Sequence, residues 1–373
     1  MKTVLIAIPC LKTGGTEIQT LRLAEALVAG DYRVVTVCYF EYDSFMVQQF
    51  KTAGSLVECM SVDGTRPNGI IPQVTFLYKG LRRIVKQYKP NIVHVQYMAP
   101  GALPILILRG LGVKTFVSTA HTMADIYKNL HLVHILQRHI LRVFTCITET
   151  AEKSFFGNSH PYTLDTILKQ HNHYTIYNTL APNYQIIERA GALSSSTDIT
   201  IGFVGRLVSI KGADLVIPAF AKLLEKCPTA RLMIVGDGVL RATMQQQALE
   251  NNVEQYVEWK GLQPYDCLPE LYQQMDFVWI PSRSEGFGLT AVEAMANGCI
   301  VLASNTGGLP EILHGQNNLF QTENIDDIAN KTFALLMDTH QLSLIKHQQT
   351  QRARDFQFDN YQSQILSLYS KLQ

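Results

Sequence analysis

Two glutamates in one short segment have the type and spacing to hold a ligand rich in hydroxyl groups. They are Glu285 and Glu293, and they lie within SRSEGFGLTAVEAMANG at residues 282–298. The apolar run before this segment predicts a strand at 277–280, and the small apolar residues after Gly288 predict a helix. The N-terminus of a helix favours an anion. A carboxylate at that place is poorly suited to a phosphate and well suited to the hydroxyls of a ligand that carries one.

Two cations lie on an earlier turn of the same kind. Arg206 and Lys211 follow a predicted strand at 199–204, with glycines beside them at 205 and 212. Arg offers a fork of donors and Lys a point charge, so together they can neutralise a diphosphate. Loops that follow parallel strands converge on one sheet edge, which predicts a nucleotide-sugar site. The alternative is that the cations form surface ion pairs and the glutamates are buried partners or solvated helix residues.

The length and composition favour two globular domains, and the small net charge gives no indication of a polyanionic partner. The chain has 373 residues, 47% of them apolar, and a formal net charge of +1. Residues 1–188 carry 18 Lys and Arg against 12 Asp and Glu, while residues 189–373 carry 14 against 19. A basic first half fits an anionic surface or acceptor, although chance drift gives the same numbers.

Seven single cysteines without zinc-site spacing fit a reducing cytosol. No run is apolar enough for a signal peptide or a membrane span.

Predicted strands and helices alternate along both halves, which indicates parallel sheets wrapped by helices. In the first half, Gly14 and Gly15 follow a strand at 4–8, and His121 follows a strand at 116–118. The carboxyl ends of such strands are where open α/β sheets bind ligands, although a plain turn and a core histidine are alternatives. The composition shifts between residues 180 and 198, which predicts a first domain at 1–188 and a second domain at 189–355.

Three further segments of the first half each carry a distinctive pattern. Residues 76–89 predict a basic helix, whose charges are most simply a solvated face. Residues 130–144 are apolar and basic with helical spacing, and either touch a membrane surface or pack on the sheet. Residues 153–173 are rich in histidine and aromatic side chains and are either an acceptor loop or an insertion.

Several motifs of the second half resemble those of the family 4 retaining glycosyltransferases. They are Gly205-Arg206-Leu207 with Lys211-Gly212, Gly236-Asp237-Gly238, PSRSEGFGLTAVEAMANG, which is similar to the Glu-x7-Glu motif of that family, and GGLPEIL. The resemblance covers most of residues 199–320 and is thinner in the first half. It implies the GT-B fold, in which two Rossmann-like doubly wound α/β domains face each other across a cleft. It also implies that a C-terminal helix at 356–373 crosses back to the first domain.

The resemblance implies a role for each matching residue. The implied catalytic residues are Arg206 and Lys211 on the diphosphate, Glu285 on the sugar hydroxyls, and His121 facing the transferred sugar or the acceptor. Glu293 would hold the ribose. The implied donor-binding residues are Gly14, Gly15, Gly205, Gly236, Lys260, Gly261, Phe287, Gly288, Leu289 and Glu293. Glu17 and Glu149 are the candidates on the acceptor side, and Glu149 departs from the usual family pattern, which leaves its role open.

The reaction implied by the resemblance is front-side displacement with retention, in which the departing phosphate oxygen takes the proton of the acceptor. No protein nucleophile is needed, so Glu285 would bind rather than attack as in a retaining glycosidase. No Asp-x-Asp occurs in the chain, and we expect no metal and no cofactor. The implied donor carries a hexose-type sugar on UDP, ahead of GDP. The implied acceptor is a saccharide or lipid-linked molecule of surface polysaccharide or glycolipid biosynthesis.

The expected partners follow from the same resemblance and from the charge. We expect a cytoplasmic protein with no nucleic-acid partner, in peripheral contact with the inner face of a membrane through its basic first half. Alternatives on the same fold are a sugar-nucleotide epimerase, which needs acid–base carboxylates, and a phosphorylase, which needs pyridoxal phosphate on a lysine. A catalytically silent nucleotide-sugar binder is the alternative from another class.

Overall fold

The chain forms two sheets, each in a unit of its own. The computed structural model describes residues 1–127, 129–168, 170–189, 198–315 and 317–372. The first unit consists of Met1–Pro182 and Phe358–Gln373, and the second of Asn183–Gln357. The serine patch at 194–196 in the expected linker, and Lys169 of the segment 153–173, lie outside the described residues.

The first unit is a seven-stranded parallel sheet with interleaved helices. Its strands are β1 (Thr3–Ile8), β2 (Arg33–Cys38), β3 (Leu56–Cys59), β4 (Ile92–Gln96), β5 (Thr115–Ala120), β6 (Val143–Cys146) and β7 (His173–Thr175). Its helices up to this point are α1 (Gly15–Ala29), α2 (Ser44–Thr52), α3 (Ile70–Tyr88), α4 (Met98–Gly110), α5 (Leu130–His139) and α6 (Glu149–Phe156). All six residues of β1 are buried, as expected for a strand covered on both faces.

The strand order of this sheet places the predicted first-half residues at its carboxyl edge. The order is β3-β2-β1-β4-β5-β6-β7, so β1 lies between β2 and β4, where the direction of the chain order reverses. Gly14 follows β1, and His121 follows β5 directly. Crevices at such a reversal are the usual ligand sites of open α/β sheets, and this agrees with the sequence prediction of where these loops gather.

The second unit repeats the architecture with six strands. Its strands are β8 (Thr200–Val204), β9 (Arg231–Val235), β10 (Val257–Gly261), β11 (Phe277–Ile280), β12 (Ile300–Ser304) and β13 (Leu319–Phe320). Its helices are α7 (Ala213–Leu224), α8 (Arg241–Glu250), α9 (Leu268–Tyr272), α10 (Leu289–Ala296), α11 (Leu309–Leu313), α12 (Ile325–Met337) and α13 (Thr339–Arg354). The order β10-β9-β8-β11-β12-β13 reverses between β8 and β11, the two strands that precede the predicted cation loop and the predicted glutamate loop.

The boundary between the units lies earlier than the predicted position after residue 188. Residues 183–189 belong to the second unit because their polar groups bond there. The backbone N–H of Ile187 donates to Ala296 (2.7 Å). Arg189 donates to the carbonyls of Asn297 (2.8 Å), Met275 (2.6 Å) and Tyr272 (2.5 Å). The composition shift that suggested the later boundary reflects the residues after this anchor.

The last helix, α14 (Phe358–Ser370), belongs to the first unit, where it packs on α1. Gly30, at the end of α1, leaves room for it, since a Cβ there would lie 2.1 Å from a methyl carbon of Leu366. The hydroxyl of Tyr369 lies 2.7 Å from Nδ1 of the buried His94 on β4. The expected C-terminal helix therefore closes the first unit, beginning two residues later than predicted.

Some elements of the first unit differ from the sequence expectation. The segment 130–144, expected to be one helix, ends as helix α5 at His139, and β6 begins at Val143. The backbone N–H of Arg142 donates to Phe116 on β5 (2.8 Å), which starts the strand pairing there. No sequence pattern above predicts α2, β3 or α4. Helix α4 carries Pro104 in its interior, a residue that usually argues against a helix.

Candidate active site

Lys211 and Glu285 form a direct ion pair at the carboxyl edge of the second sheet. Nζ of Lys211 lies 2.6 Å from Oε2 of Glu285, and the two side chains are 29% and 15% exposed. Ser282 Oγ donates to the same oxygen at 3.3 Å. The pair brings together residues 74 positions apart in the chain, one after β8 and the other after β11. The predicted convergence of these two loops is therefore present, and Lys211 also makes the ion pair that the alternative interpretation expected.

Two glycines allow the loops to approach this closely. Gly212 has a φ of +66°, and a Cβ there would lie 1.9 Å from the carbonyl oxygen of Pro281. Gly307, after β12, has a φ of +55°, and a Cβ there would lie 1.9 Å from the carbonyl oxygen of Glu285. Both positions combine a left-handed backbone with contact against another main chain, and only glycine satisfies both conditions.

Arg283 adds further bonds between the loop that follows β8 and the loop that follows β11. Its guanidinium donates to both carboxylate oxygens of Asp214 (2.7 and 2.8 Å) and also to Glu323 (2.9 Å). Its backbone N–H donates to Ile210 at 2.9 Å. Such a bidentate contact fixes geometry as well as charge. Hydrogen bonding from Arg283 holds the pKa of Asp214 below its usual range. Sequence reasoning missed Arg283, although it stands two residues before Glu285.

Arg206 is exposed, and within the described part of the chain no acidic side chain lies at ion-pair distance from it. It follows Gly205, whose N–H donates to Val235 at the end of β9 (2.9 Å), and Gly236 donates to Gly261 at the end of β10 (2.8 Å). These two backbone hydrogen bonds connect the ends of β8, β9 and β10 at the turn that carries Arg206. A solvated guanidinium on a fixed turn is available for an anionic ligand without first losing a protein partner.

Glu293 is buried inside α10 rather than presented at the surface. It is 4% exposed, and its Oε2 accepts a hydrogen bond from the hydroxyl of Tyr272 (3.0 Å). Burial, and then the nearby Glu293, raise the pKa of Tyr272 well above its usual value. The geometry therefore gives Glu293 a protein partner, as one of the two interpretations expected, and its contact with a ribose stays a prediction.

Loss of the Tyr272 hydroxyl should destabilise the second unit. In Tyr272→Phe the buried Glu293 loses a charge-assisted hydrogen bond, which is expected to cost about 1–3 kcal/mol of unfolding free energy. Both tryptophans, Trp259 and Trp279, lie in this unit, so their fluorescence during urea unfolding measures the effect. Tyr256→Phe, at a partly buried tyrosine of the same unit, is the control. Equal stability of the two variants would contradict the prediction.

The remaining predicted donor-binding residues of this unit lie on turns at strand ends and helix starts. Gly288 precedes α10, Leu289 is its first residue, and Phe287 is buried against Phe356 with ring centroids 5.5 Å apart. Lys260 lies at the end of β10 and pairs with Glu258 (2.5 Å), next to Gly261. The packed ring of Phe287 therefore holds the turn at Gly288. Helix α10 begins directly after this turn, at the sheet edge that carries Glu285.

In the first unit, the Gly-Gly turn leads directly into α1. Gly14 precedes the helix, and Gly15, its first residue, has open space where a Cβ would be. Glu17 is 6% exposed, and its Oε1 accepts a hydrogen bond from the thiol of Cys10 (3.1 Å). Burial, followed by Glu17, raises the pKa of Cys10 to about 12. Glu17 thus lies beneath the turn, and its predicted acceptor contact remains a prediction.

His121 is buried at the end of β5 with only one ring nitrogen paired in the described structure. Its Nε2 lies 2.6 Å from Oε1 of Gln96, and its Nδ1 has no hydrogen-bond partner. Burial lowers the pKa of His121 to about 3, so the ring is neutral at physiological pH. The ring of Tyr97 lies beside it, with centroids 5.5 Å apart. His121 also lines a small cavity of about 20 Å³ with His94 and Gln19.

Glu149 and the segment that follows it form a separate packed region of the first unit. Glu149 begins α6 and accepts a hydrogen bond from Ser159 (2.8 Å). Glu152 is fully buried and accepts from Thr175 (2.6 Å), and its other oxygen lies 2.6 Å from Nδ1 of His173. Glu152 therefore holds the end of the segment 153–173, where β7 begins. Its predicted role as an acceptor loop stays open.

Neither a membrane-spanning helix nor a metal-binding cluster of His, Cys, Asp or Glu is found in the residue ranges that the structure describes. None of the helices in those ranges is both long and apolar enough to span a bilayer. No three His, Cys, Asp or Glu side chains in the same ranges gather into a group that could hold a metal ion.

Comparison with known families matches both halves of the chain. Residues 185–354 match the family model described as glycosyl transferases group 1, and residues 13–153 match the one described as glycosyltransferase family 4. The first of these matched regions contains Arg206, Lys211 and Glu285. The second contains Gly14, Gly15 and His121. The family inferred from the motifs is confirmed by these matches.

Similar proteins and structures carry the same description. A D-inositol 3-phosphate glycosyltransferase of Corynebacterium efficiens is 31% identical over 179 residues, which are 46% of this chain and 42% of that protein. The match to a second enzyme of that name covers 53% of its length. The chain therefore spans about half the length of these two relatives. An uncharacterized glycosyltransferase of Methanocaldococcus jannaschii is 25% identical over 378 residues, covering 100% of this chain and 99% of that one.

A solved structure extends the comparison to the fold. The Anabaena protein HepE, solved in complex with UDP, shares 20% identity and a TM-score of 0.79, covering 99% of this chain and 100% of that one. At that identity the likeness shows the fold alone. The expected GT-B architecture, with two Rossmann-like α/β domains, is confirmed.

Proposed function

This chain belongs to the family 4 glycosyltransferases, and from that premise we propose that it is a retaining hexosyltransferase acting on a nucleotide diphosphate sugar. The observation that carries the proposal is the Lys211–Glu285 pair, with the exposed Arg206 on the same loop as Lys211, at the strand reversal of one sheet. Cations and a hydroxyl-binding carboxylate within one site fit a ligand that joins a diphosphate to a sugar. This donor would bind to the second unit.

Donor binding would separate the pair and give each partner a new role. Nζ of Lys211 would leave Oε2 of Glu285 for a phosphate oxygen, and the freed carboxylate would accept hydrogen bonds from the sugar. Arg206 would add its donors to the same diphosphate. Charge builds up on the leaving diphosphate in the transition state, so cations fixed there lower the barrier more than they tighten substrate binding.

The proposed step needs no residue that attacks the sugar. The bond from the anomeric carbon to the diphosphate oxygen breaks while the acceptor oxygen bonds to the same face of that carbon. The proton of the acceptor hydroxyl passes to the departing phosphate oxygen. Glu285, held by Lys211 and Ser282, has a binding role in this step. Retention of anomeric configuration follows from attack on the face that the leaving group vacates.

The proposed donor is a UDP-sugar, ahead of a GDP-sugar. The proposed acceptor is a saccharide or a lipid-linked molecule of surface polysaccharide or glycolipid biosynthesis. The support for UDP is that the Anabaena protein of the same fold was solved with UDP. The support for an anionic or lipid-linked acceptor is the positive charge of residues 1–188, which carry 18 Lys and Arg against 12 Asp and Glu.

A donor panel tests the proposed activity. The purified protein is given UDP- and GDP-sugars in the presence of EDTA, and release of free nucleotide is followed. We expect slow hydrolysis of one donor, and the anomer of the sugar product, read by NMR, should be the retained one. Altered stereochemistry of the intact donor would indicate an epimerase, and turnover that requires inorganic phosphate would indicate a phosphorylase. Binding without any turnover would indicate a silent binder.

We also propose that the first unit contacts the inner face of an anionic membrane through α3, in a cytoplasmic protein. Lys79, Arg82, Lys86 and Lys89 are exposed along the helix or at its end, and residues 70–89 contain no Asp or Glu. Ile70 and Ile71, at the start of α3, are 81% and 80% exposed. An apolar tip with a basic face is the arrangement that lies in the headgroup region of anionic lipid.

Liposome co-sedimentation tests this contact. Lys79→Glu with Arg82→Glu should weaken binding to phosphatidylserine vesicles by about tenfold or more, because each cation near an anionic surface contributes about 1 kcal/mol. Ile70→Ser with Ile71→Ser should weaken binding through lost insertion. Lys114→Glu, at an exposed lysine of the same unit, and Leu344→Ser, at an exposed leucine of the second unit, serve as controls. Equal losses in the controls would contradict the proposal.

A further inference from the structure

We propose that Gln96 is a positioning residue that keeps the proton of His121 on Nε2 and thereby leaves Nδ1 as a hydrogen-bond acceptor for a substrate hydroxyl. The inference rests on the proposed function, because it assigns His121 to the sugar or acceptor side of that reaction. Its subject is the residue behind the histidine, which none of the sequence motifs includes.

The strand pairing places Gln96 and His121 together. Gln96 is the last residue of β4, its Cα pairs with Thr119 of β5, and His121 follows β5 directly. Gln96 is 2% exposed and His121 is 8% exposed. Their side chains meet at 2.6 Å, Oε1 of Gln96 against Nε2 of the imidazole. A carbonyl oxygen can only accept a hydrogen bond, so Nε2 carries the proton in this contact.

The other nitrogen of the ring is left for a ligand. Among the described residues no group bonds to Nδ1 of His121, although the atom is buried. A buried polar atom without a partner costs about 1–3 kcal/mol, so Nδ1 has a hydrogen-bonding capacity that a bound ligand could satisfy. A neutral imidazole with its proton on Nε2 presents a lone pair at Nδ1. That lone pair accepts a hydrogen bond from a hydroxyl, and it offers none to a carbonyl or a phosphate oxygen.

Tyr97 fixes the plane of the ring. It follows Gln96 with φ +62° and ψ +95°, a backbone conformation that bulky residues rarely adopt, and its N–H donates to Thr119 (3.2 Å). Its ring lies against the imidazole with centroids 5.5 Å apart and planes tilted by 51°. Strain of this kind persists where the surroundings hold it and is concentrated at functional sites. Gln96 therefore sets the tautomer, and Tyr97 limits rotation of the ring.

The charges around the histidine agree with a neutral ring. Burial lowers the pKa of His121, and burial and His121 together lower that of His94 to about 3. Burial is also the main cause that raises the pKa of Tyr97, with Glu17 next. The titratable groups that face His121, or face Tyr97 beside it, are His94, Tyr97, Tyr361, Glu17, Cys10 and Tyr127.

Nitrogen-15 NMR of histidine side chains tests the tautomer without any substrate. The wild-type protein is labelled on its histidines, and the resonances of His121 are identified by their loss in His121→Asn. We expect the Nε2–H tautomer at neutral pH, with no imidazolium down to about pH 5. Observation of the Nδ1–H tautomer would overturn the proposal. This readout stays valid even if no donor in the panel is turned over, so it fails independently of the proposed function.

Two substitutions of Gln96 test the positioning role in the reaction. Gln96→Glu keeps an acceptor oxygen at Nε2 and adds a charge, which should raise the pKa of His121 by about two pH units. The imidazolium cannot accept a hydrogen bond, so kcat/KM should fall as pH falls through the new pKa. Gln96→Met removes the contact and should lower kcat by about tenfold at all pH values, because the ring and its tautomer are no longer fixed.

The control is the same substitution where the histidine is absent. If Gln96 acts through His121, Gln96→Glu in the His121→Asn background should leave the pH profile of the residual activity unchanged. A new acid limb in that background, or no limb in Gln96→Glu alone, would show that Gln96 acts only through packing and would overturn the proposal. A fall in folded fraction lowers the rate at every pH and does not create a limb that depends on His121.

Discussion

Lys211→Ala should lower kcat for sugar transfer by about 10²–10³-fold, because it removes a fixed cation from the place where the leaving diphosphate gains charge. The cost in stability should be small. The pair with Glu285 is partly solvated, at 29% and 15% exposure, and such ion pairs contribute about 0–1 kcal/mol. The rate should therefore collapse while the unfolding transition, followed by tryptophan fluorescence, moves little. Lys222→Ala is the matched control, since Lys222 pairs with Asp326 on the same unit.

Substitution of the partner separates the two roles of the pair. Glu285→Gln should also lower kcat, since the sugar loses a charged acceptor. Binding of free UDP should become tighter, however, because Lys211 is no longer held by the carboxylate at 2.6 Å and the negative charge next to the diphosphate is gone. Calorimetric titration with UDP checks the sign. Weaker UDP binding in Glu285→Gln, or a Lys222→Ala rate as low as that of Lys211→Ala, would contradict this assignment of roles.

The first unit should lose stability in acid through its buried histidines. His94 and His121 have a pKa of about 3 in the folded state because burial disfavours the imidazolium. In the unfolded chain a histidine titrates near pH 6.5, at about its unperturbed value. The unfolded state therefore binds more protons between these values, and stability present above pH 6.5 is lost as pH falls towards 3. Each histidine contributes a slope of about 1.4 kcal/mol per pH unit inside that window.

The slope can be measured because the two units carry different probes. Both tryptophans belong to the second unit, whereas circular dichroism follows both units. In urea unfolding between pH 7 and pH 4, His94→Gln should flatten the pH dependence of the first unit by about 1.4 kcal/mol per pH unit. The tryptophan transition should keep its wild-type pH dependence. His347→Gln, at an exposed histidine, is the control, and an unchanged slope in His94→Gln would refute the prediction.

The carboxyl-edge loops could be predicted because they depend on local pattern. The runs before Arg206 and Glu285 are short, apolar and rich in β-branched or aromatic side chains, and each ends in glycine-rich sequence. Parallel strands then bring their following loops to one edge, whatever the rest of the chain does. The strand Phe277–Ile280 has the predicted bounds for the same reason. Local pattern also gave the family resemblance.

Partners far apart in the sequence could not be predicted. The contact of Arg283 with Asp214 spans 69 positions, and that of His121 with Gln96 spans 25. A single sequence gives no signal for either, because glutamine at a strand end and arginine in a loop are common. Glu293 was equally ambiguous, since a carboxylate inside a helix can face solvent or a buried tyrosine. Helix α4 was not predicted because Pro104 and the glycines of this segment have low helix propensity. Tertiary packing overrides that low propensity in the folded protein.

The position of α14 has a consequence for the order in which the protein can be completed during translation. Domains generally fold as they emerge, the N-terminal one first. Here the first unit lacks one of the two hydrogen-bond partners of His94 until Tyr369 has been synthesised, after all of Asn183–Gln357. The second unit is thus the first whose sequence is complete. A nascent or truncated chain that ends near residue 357 would lack the helix whose Leu366 covers α1 at Gly30.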